Sequence, residues 1–420
     1  MSTFNQSVSR RNFMRILGAA SAATTFPAFA AIQQPSAAAG RGQGGMGGGM
    51  GMRQQLPPDA VIISSNENPL GPAQSALSAI SSTAPLGGRY HGEQYSETIK
   101  VFSQQFDLKP GYVGLFPGSG GPLDLALMSN IGPDKPLVYG DPSYEQGPGA
   151  AKTMKAPMFP VPLTSTYAHD VKAMLAATPN AGAYYIVNPN NPTGTMTPKA
   201  DILWLLENKP KGSVVIVDEA YFHFSNDESV IDQVVADKDI IVTRTFSKIY
   251  GMAGLRAGVA IARPDLLAKF TNVAPPARSV GSISITSAAA ARASIQDKDL
   301  VPLRRKINAD IRAETLEFLD KHNYKVIPGS QANFFMVDVK RPGREFGAQM
   351  IKEKVAIGRT WAALPTYVRV TVGTKEEMQK FQAAFVKCMD VAPGTVNGAA
   401  SLHLLEHFDI PNELHRGIYV

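Results

Sequence analysis

Four short runs of apolar and β-branched residues punctuate the middle of the chain: PLVYG at 136–140, AYYIVN at 183–188, SVVIVD at 213–218 and DIIVTR at 239–244. None alternates cleanly between apolar and polar positions, which is the pattern of strands buried on both faces. Between them lie segments of helical character, such as HDVKAMLAAT at 169–178 and KADILWLLEN at 199–208. Strands alternating with helices predict an α/β layer, a parallel sheet covered on both sides. In such a sheet, ligands collect beyond the carboxyl ends of the strands. Three of these runs pass at once into polar segments, so residues 188–194, 218–221 and 245–248 are expected to meet at one place.

Further along, the pattern changes. A long helical stretch, DLVPLRRKINADIRAETLEFLDKHN at 299–323, precedes two strand candidates, NFFMVDV at 333–339 and TYVRVTVG at 366–373. This predicts a smaller α+β domain made of residues 59–89 and 276–393, beside a large domain of residues 90–275. Residues 394–420 form a C-terminal extension, and the chain has no internal repeat.

Before residue 59 no such pattern exists. SRRNFMRILGAASAATTFPAFA, residues 9–30, sets Arg10 and Arg11 before an apolar stretch and ends in the small residues Ala28 and Ala30. That is the form of a secretory leader. The arginine pair, flanked by Ser9 and by Asn12, Phe13 and Met14, resembles the twin-arginine type. Residues 1–30 are therefore expected to be a twin-arginine signal peptide rather than a first helix of the fold. The protein behind it would be periplasmic after twin-arginine export, and cytoplasmic if the leader is not processed. Residues 31–58, rich in Gly, Met and Gln, cannot bury a core and read as a linker.

Composition narrows the classes. The chain has 420 residues, 44% hydrophobic and 18% charged, ordinary globular values. Its net charge is +6, but the first 58 residues supply +5 of that with no acid among them. The remainder is nearly neutral, which removes the electrostatic case for nucleic-acid binding. With Cys388 alone, no intrachain disulfide and no cysteine metal cluster can form. Beyond residue 30 no uncharged apolar run reaches membrane-span length, so no stable membrane anchor is expected. His403, Glu406 and His407 match the H-x-x-E-H spacing of some zinc peptidases. Standing alone in a short tail, they are read as a chance match, and no metal site is expected.

The chemistry concentrates around Lys248. Thr245 and Ser247 put hydroxyls on the same turn, and Arg256 follows eight residues later. Two hydroxyls and a guanidinium beside a lysine suit a phosphate monoester held next to an amine nucleophile. Asn191 in NPNNPTG and Asp218 in DEAY stand earlier, each just after or at a strand end.

With NENPLGP, DEAYFHF, RTFSKIYGMAGLRAG and VRVTVGTKEE, these motifs resemble fold-type I pyridoxal-phosphate aminotransferases of class I/II. The likeness is to the histidinol-phosphate aminotransferase branch and runs from about residue 66 to about 385. It implies a large domain with a mostly parallel seven-stranded sheet plus a smaller α+β domain. It implies pyridoxal 5′-phosphate bound to Lys248 as a Schiff base, with Asp218 on the pyridine nitrogen. Asn191 and Tyr221 would tune the ring hydroxyl, and Tyr144 would stack on the ring. The phosphate would lie against Ser119, Gly120, Thr245, Ser247 and Arg256. Tyr90 would reach the partner subunit's cofactor phosphate, which implies a homodimer. Arg369 would grip the substrate's anionic end, with Arg359 and Asn68 lining the same pocket.

The pattern departs from the family where Gly120-Gly121 replaces an acidic residue after the phosphate-loop glycines, and where His91 follows Tyr90 in place of proline. Both departures put the substrate pocket in doubt. The implied reaction is amino transfer between an amino acid, or a histidinol-phosphate-like amine, and a 2-oxo acid. The same electron sink would also serve decarboxylation or β-elimination, and a binder without turnover is a further alternative. The intact set of Lys248, Asp218 and Asn191 argues for an enzyme.

Overall fold

The computed structural model describes residues 56–57, 59–273 and 283–392. The expected leader, most of the linker, and the C-terminal extension with its His403, Glu406 and His407 lie outside these residues. Eleven described strands follow in order: β1 (Val61–Ile63), β2 (Val113–Phe116), β3 (Leu137–Asp141), β4 (Met158–Pro162), β5 (Ala183–Val187), β6 (Val214–Asp218), β7 (Ile240–Thr245), β8 (Gly258–Ile261), β9 (Phe334–Asp338), β10 (Val355–Ile357) and β11 (Tyr367–Thr371).

Seven of them form one sheet in the order β2-β8-β7-β6-β5-β3-β4. It is mostly parallel: β8 runs antiparallel to both its neighbours, β2 and β7, whereas β4, β3, β5, β6 and β7 run together. The four apolar runs are β3, β5, β6 and β7. Every residue of β5, β6 and β7 is buried, as a sheet covered on both faces requires. Because strand side chains alternate sides, each strand feeds two cores. Tyr184, Ile186, Val215, Val217 and Val242 enter one. Ala183, Tyr185, Val187, Val214, Ile216 and Ile241 enter the other, with Leu123 and Leu127 from the helix Gly120–Met128.

A third core is built from β1, β9, β10 and β11 with the helices Gly343–Lys352 and Lys375–Met389, and it buries Phe346, Phe381, Phe385 and Cys388. Here β1 pairs in parallel with β10, and β9 pairs antiparallel with β11. The sequence pattern places residues 59–89 and 276–393 in this smaller body. The contacts divide those segments differently. Ala76 of the helix Gln74–Thr83, and Ala288, Ala290 and Ala291 of the helix Ile285–Gln296, share the first core of the large sheet. Small alanine faces let these helices lie close against that layer, whereas β1 alone of the N-terminal segment belongs to the third core.

The helix Leu300–Lys321 links the two bodies. Leu300 lies in the first core and Leu319 in the third. Buried Arg304, near its start, donates to Ile249 O at 2.9 Å and to Gly71 O at 2.6 Å. Those bonds tie the start of the helix to main-chain carbonyls of two loops, that of Ile249 also accepting from Asn68 Nδ2. Among the described residues, no helix is long and apolar enough to cross a membrane, and no group of three or more His, Cys, Asp or Glu could hold a metal ion.

Candidate active site

The three polar segments expected to meet do so at the carboxyl edge of β5, β6 and β7. Lys248 follows β7, and its Nζ donates to Ser65 O at 3.1 Å and stands 5.5 Å from the centre of the Tyr221 ring. Asp218, the last residue of β6, is buried. Its Oδ1 accepts from Ala220 N at 3.1 Å and Thr243 Oγ1 at 3.3 Å. Burial raises its pKa to about 6, against the pull of these two donors and of the Lys248 charge. A carboxylate held in so poorly solvated a place calls for a cationic or N–H partner.

Tyr221 is held from a distance in sequence. Asn66 Nδ2 donates to its hydroxyl at 3.0 Å, and its ring meets Phe334 edge-on at 4.8 Å. Asn66 adopts a positive φ of 53°, a conformation that asparagine tolerates better than most residues. Its Oδ1 accepts from Thr371 Oγ1, and its N–H donates back to that hydroxyl, both at 3.0 Å. Asn68, the residue singled out in the sequence, is instead anchored: its Nδ2 donates to Ile249 O at 3.0 Å, and its Oδ1 accepts from Leu70 N at 3.1 Å.

A cradle suited to an anion lies on the β7 side. Thr245 Oγ1 is 2.9 Å from Ser247 Oγ, and Arg256 Nη1 donates to Ser247 Oγ at 3.3 Å. The loop that contains Gly118 packs onto the same guanidinium: a Cβ added at Gly118 would stand 2.2 Å from Arg256 Nη2. Next in sequence, Ser119 opens the helix Gly120–Met128 without a side-chain cap. The first N–H groups of a helix have no partner within it, so an uncapped start beside Arg256 can take a phosphate. Two hydroxyls, a guanidinium and free main-chain N–H groups fit a phosphate monoester, and a buried carboxyl fits the far end of the ring that carries it.

The loop after β3 is tied to the loop after β5. Asn190 accepts from Ser143 Oγ at 2.8 Å and donates to Pro142 O at 3.1 Å. This places Tyr144, whose phenol pKa is pushed up by burial although part of its surface is exposed. Asn191 Oδ1 accepts from Arg369 Nη1 at 2.7 Å, and Arg369 Nη2 donates to Ser64 O at 2.7 Å. Arg359 pairs with Glu145. Trp361 stands beside both guanidinium groups, 4.8 Å from Arg359 and 5.3 Å from Arg369. Tyr90 is the one expected site residue lying far outside this cluster's cover, with 94% of its surface exposed.

The pattern of Aminotransferase class I and II matches residues 58–385 of this chain. The chain belongs to the class I and II aminotransferase family. Among its relatives, histidinol-phosphate aminotransferase 1 of Nitrosococcus oceani is 34% identical over 327 residues, covering 77% of this chain and 87% of that one. The aromatic amino acid aminotransferase of Cutibacterium acnes is 31% identical over 325 residues, covering 76% and 90%. In fold, this aminotransferase is similar to the histidinol-phosphate aminotransferase of Sinorhizobium meliloti solved in complex with pyridoxal-5′-phosphate, with a TM-score of 0.71 at 23% identity over 79% of this chain and 90% of that one.

Four residues that the sequence pattern does not single out join this cluster: Ser65, Asn66, Glu145 and Trp361. Asn66 lies inside the NENPLGP motif, so a local signal is present for it beside Asn68. Nothing local marks the other three, because their roles depend on partners brought from elsewhere in the chain.

Proposed function

We propose that this aminotransferase moves an amino group between an amino acid, or a histidinol-phosphate-like amine, and a 2-oxo acid, with pyridoxal 5′-phosphate held at Lys248. The observation that carries this reading is the convergence of Lys248, Asp218 and Tyr221 at one sheet edge. When bound, the cofactor supplies an electron sink for the pair left as the substrate loses its Cα proton. Lys248 Nζ would take that proton from Cα and deliver it to the carbon on the other side of the amino nitrogen, as a general base and then acid. Asp218 would face the ring nitrogen and keep its proton in place. Asn191 and Tyr221 would hydrogen-bond the ring hydroxyl, and Tyr144 would cover one ring face. Thr245, Ser247, Arg256 and the N–H groups of Ser119 and Gly120 would hold the phosphate. Arg369 would pair with the substrate carboxylate through its planar fork, and Arg359 and Asn68 would border the side-chain pocket.

Purified protein should be yellow, and borohydride should fix the cofactor to Lys248 so that it survives denaturation. Lys248→Ala should lower transamination by at least about 10²–10⁴-fold, the usual contribution of a positioned acid–base group. A variant that transaminates at the wild-type rate overturns the assignment.

Two larger-scale proposals accompany this one. Residues 1–30 would take the folded, cofactor-loaded chain to the periplasm by the twin-arginine route, supported by the Arg10-Arg11 pair, the absence of acids and the small residues at Ala28 and Ala30. A fluorescent reporter fused behind residues 1–35 should then reach the periplasm and be retained when both arginines become lysine. A reporter that stays in the cytoplasm with both arginines intact refutes the route. Two copies of the chain would also pair so that Tyr90 reaches the partner's site, supported by a tyrosine whose surface is almost wholly exposed.

A further inference from the structure

Glu145 follows Tyr144 directly and opens the helix Gln146–Met154. Its Oε2 lies 2.5 Å from Arg359 Nη1, across 214 positions of sequence. Arg359 is thus already paired with an acid before any substrate arrives. Arg369 donates to Asn191 Oδ1 and to Ser64 O. Beside both arginines stands Trp361, which is buried to 5% exposure and whose Nε1–H has no hydrogen-bond partner. Both guanidinium groups therefore lie against one indole ring, and Arg359 carries a counter-charge from Glu145.

We infer that Glu145 is a specificity-determining residue: by occupying Arg359 it makes the outer end of the substrate pocket charge-neutral. This aminotransferase then favours amino donors with an uncharged side chain over donors whose side chain ends in a second carboxylate. A distal anion entering the pocket must either displace Glu145 from Arg359 or lie beside its carboxylate, and both cost binding. An uncharged side chain meets neither penalty. The carboxylate common to all amino-acid donors is unaffected, since it goes to Arg369.

The size of the effect follows from exposure. With 31% of the Arg359 side chain and 48% of the Glu145 side chain exposed, the pair is weak enough to be broken. It biases the choice by about three- to five-fold rather than forbidding an anion. The inference rests on the reading above that Arg359 and Arg369 border the substrate pocket.

The test is calorimetric binding to the holoenzyme of two non-reacting probes, glutarate and 3-phenylpropionate, in wild type and in Glu145→Gln. Wild type should bind 3-phenylpropionate more tightly. Glu145→Gln should tighten glutarate by about three- to five-fold while leaving 3-phenylpropionate within about two-fold. An unchanged ratio of the two affinities, an equal shift of both, or a wild type that already prefers glutarate overturns the inference. Turnover by wild type on a panel of amino donors reads the reaction separately. If no donor is converted and the binding ratio still shifts as stated, the pocket inference stands and the transaminase reading falls.

Discussion

Asp218 shows how one residue's placement becomes a measurable pH dependence. Its pKa of about 6 in the cofactor-free fold lies above the ordinary 3.8, because burial disfavours the charged form. A carboxyl shifted in that direction contributes stability that is complete below the ordinary value and is lost as pH rises through about 6. Cofactor-free wild type should therefore lose thermal stability between about pH 4 and pH 6 relative to Asp218→Asn. Cofactor uptake should show the opposite trend, strengthening over the same window as the carboxylate becomes available to a ring N–H. Thermal melts and absorbance titrations of the two proteins check this. Parallel curves for wild type and Asp218→Asn would show that Asp218 does not govern cofactor capture. Asn66 gives the companion lesson, since one asparagine in a left-handed conformation carries the hydrogen bond that orients Tyr221.

Elements set what those residues can do. β5, β6 and β7 run in one direction and end at one edge, so the side chains that follow them converge without any long loop. The antiparallel β8 returns the chain beside β7 and carries Gly258 against the main chain of Gly118 and Ser119, where an added Cβ would stand 2.4 Å from Gly118 C. That close approach brings the uncapped helix start, Arg256 and the Thr245–Ser247 turn into one cradle. Gly118 also has a φ of +84°, so its lack of a side chain serves both the turn and the guanidinium packed on it. Asn191, Asp218, Thr245, Ser247 and Lys248 are legible as motifs because each is local: NPNNPTG, DEAY and TFSK are all short strings at strand ends. The third core is closed by the helix Lys375–Met389, whose start is fixed by a capping box between Thr374 and Glu377.

At the scale of the whole molecule, the proposed pairing of two chains makes each site composite. Lys248→Ala and Tyr90→Ala homodimers should each be impaired. Mixed after dissociation, they form heterodimers in which one site is doubly altered and the other has wild-type Lys248 and Tyr90. Random mixing should thus recover about a quarter of wild-type turnover. Mixtures that recover nothing, although heterodimers are present by native mass, would remove Tyr90 from the partner's site.

The amino-acid sequence by itself determined the α/β layer, the strands β3, β5, β6 and β7, and the group of Lys248, Asp218, Asn191 and Arg256. Apolar periodicity and short motifs are local properties, readable wherever a strand buried on both faces ends in polar residues. Only the tertiary structure decided which helices share the large core, since the alanine faces of Gln74–Thr83 and Ile285–Gln296 name no partner until they are packed. It also decided that Asn66 orients Tyr221, that Glu145 occupies Arg359, and that Trp361 stands beside both arginines. Asn66 and Thr371 meet across 305 positions of sequence. Contacts at that separation leave no periodic trace in the chain, because they are chosen by how the layers close and not by any neighbour along the backbone.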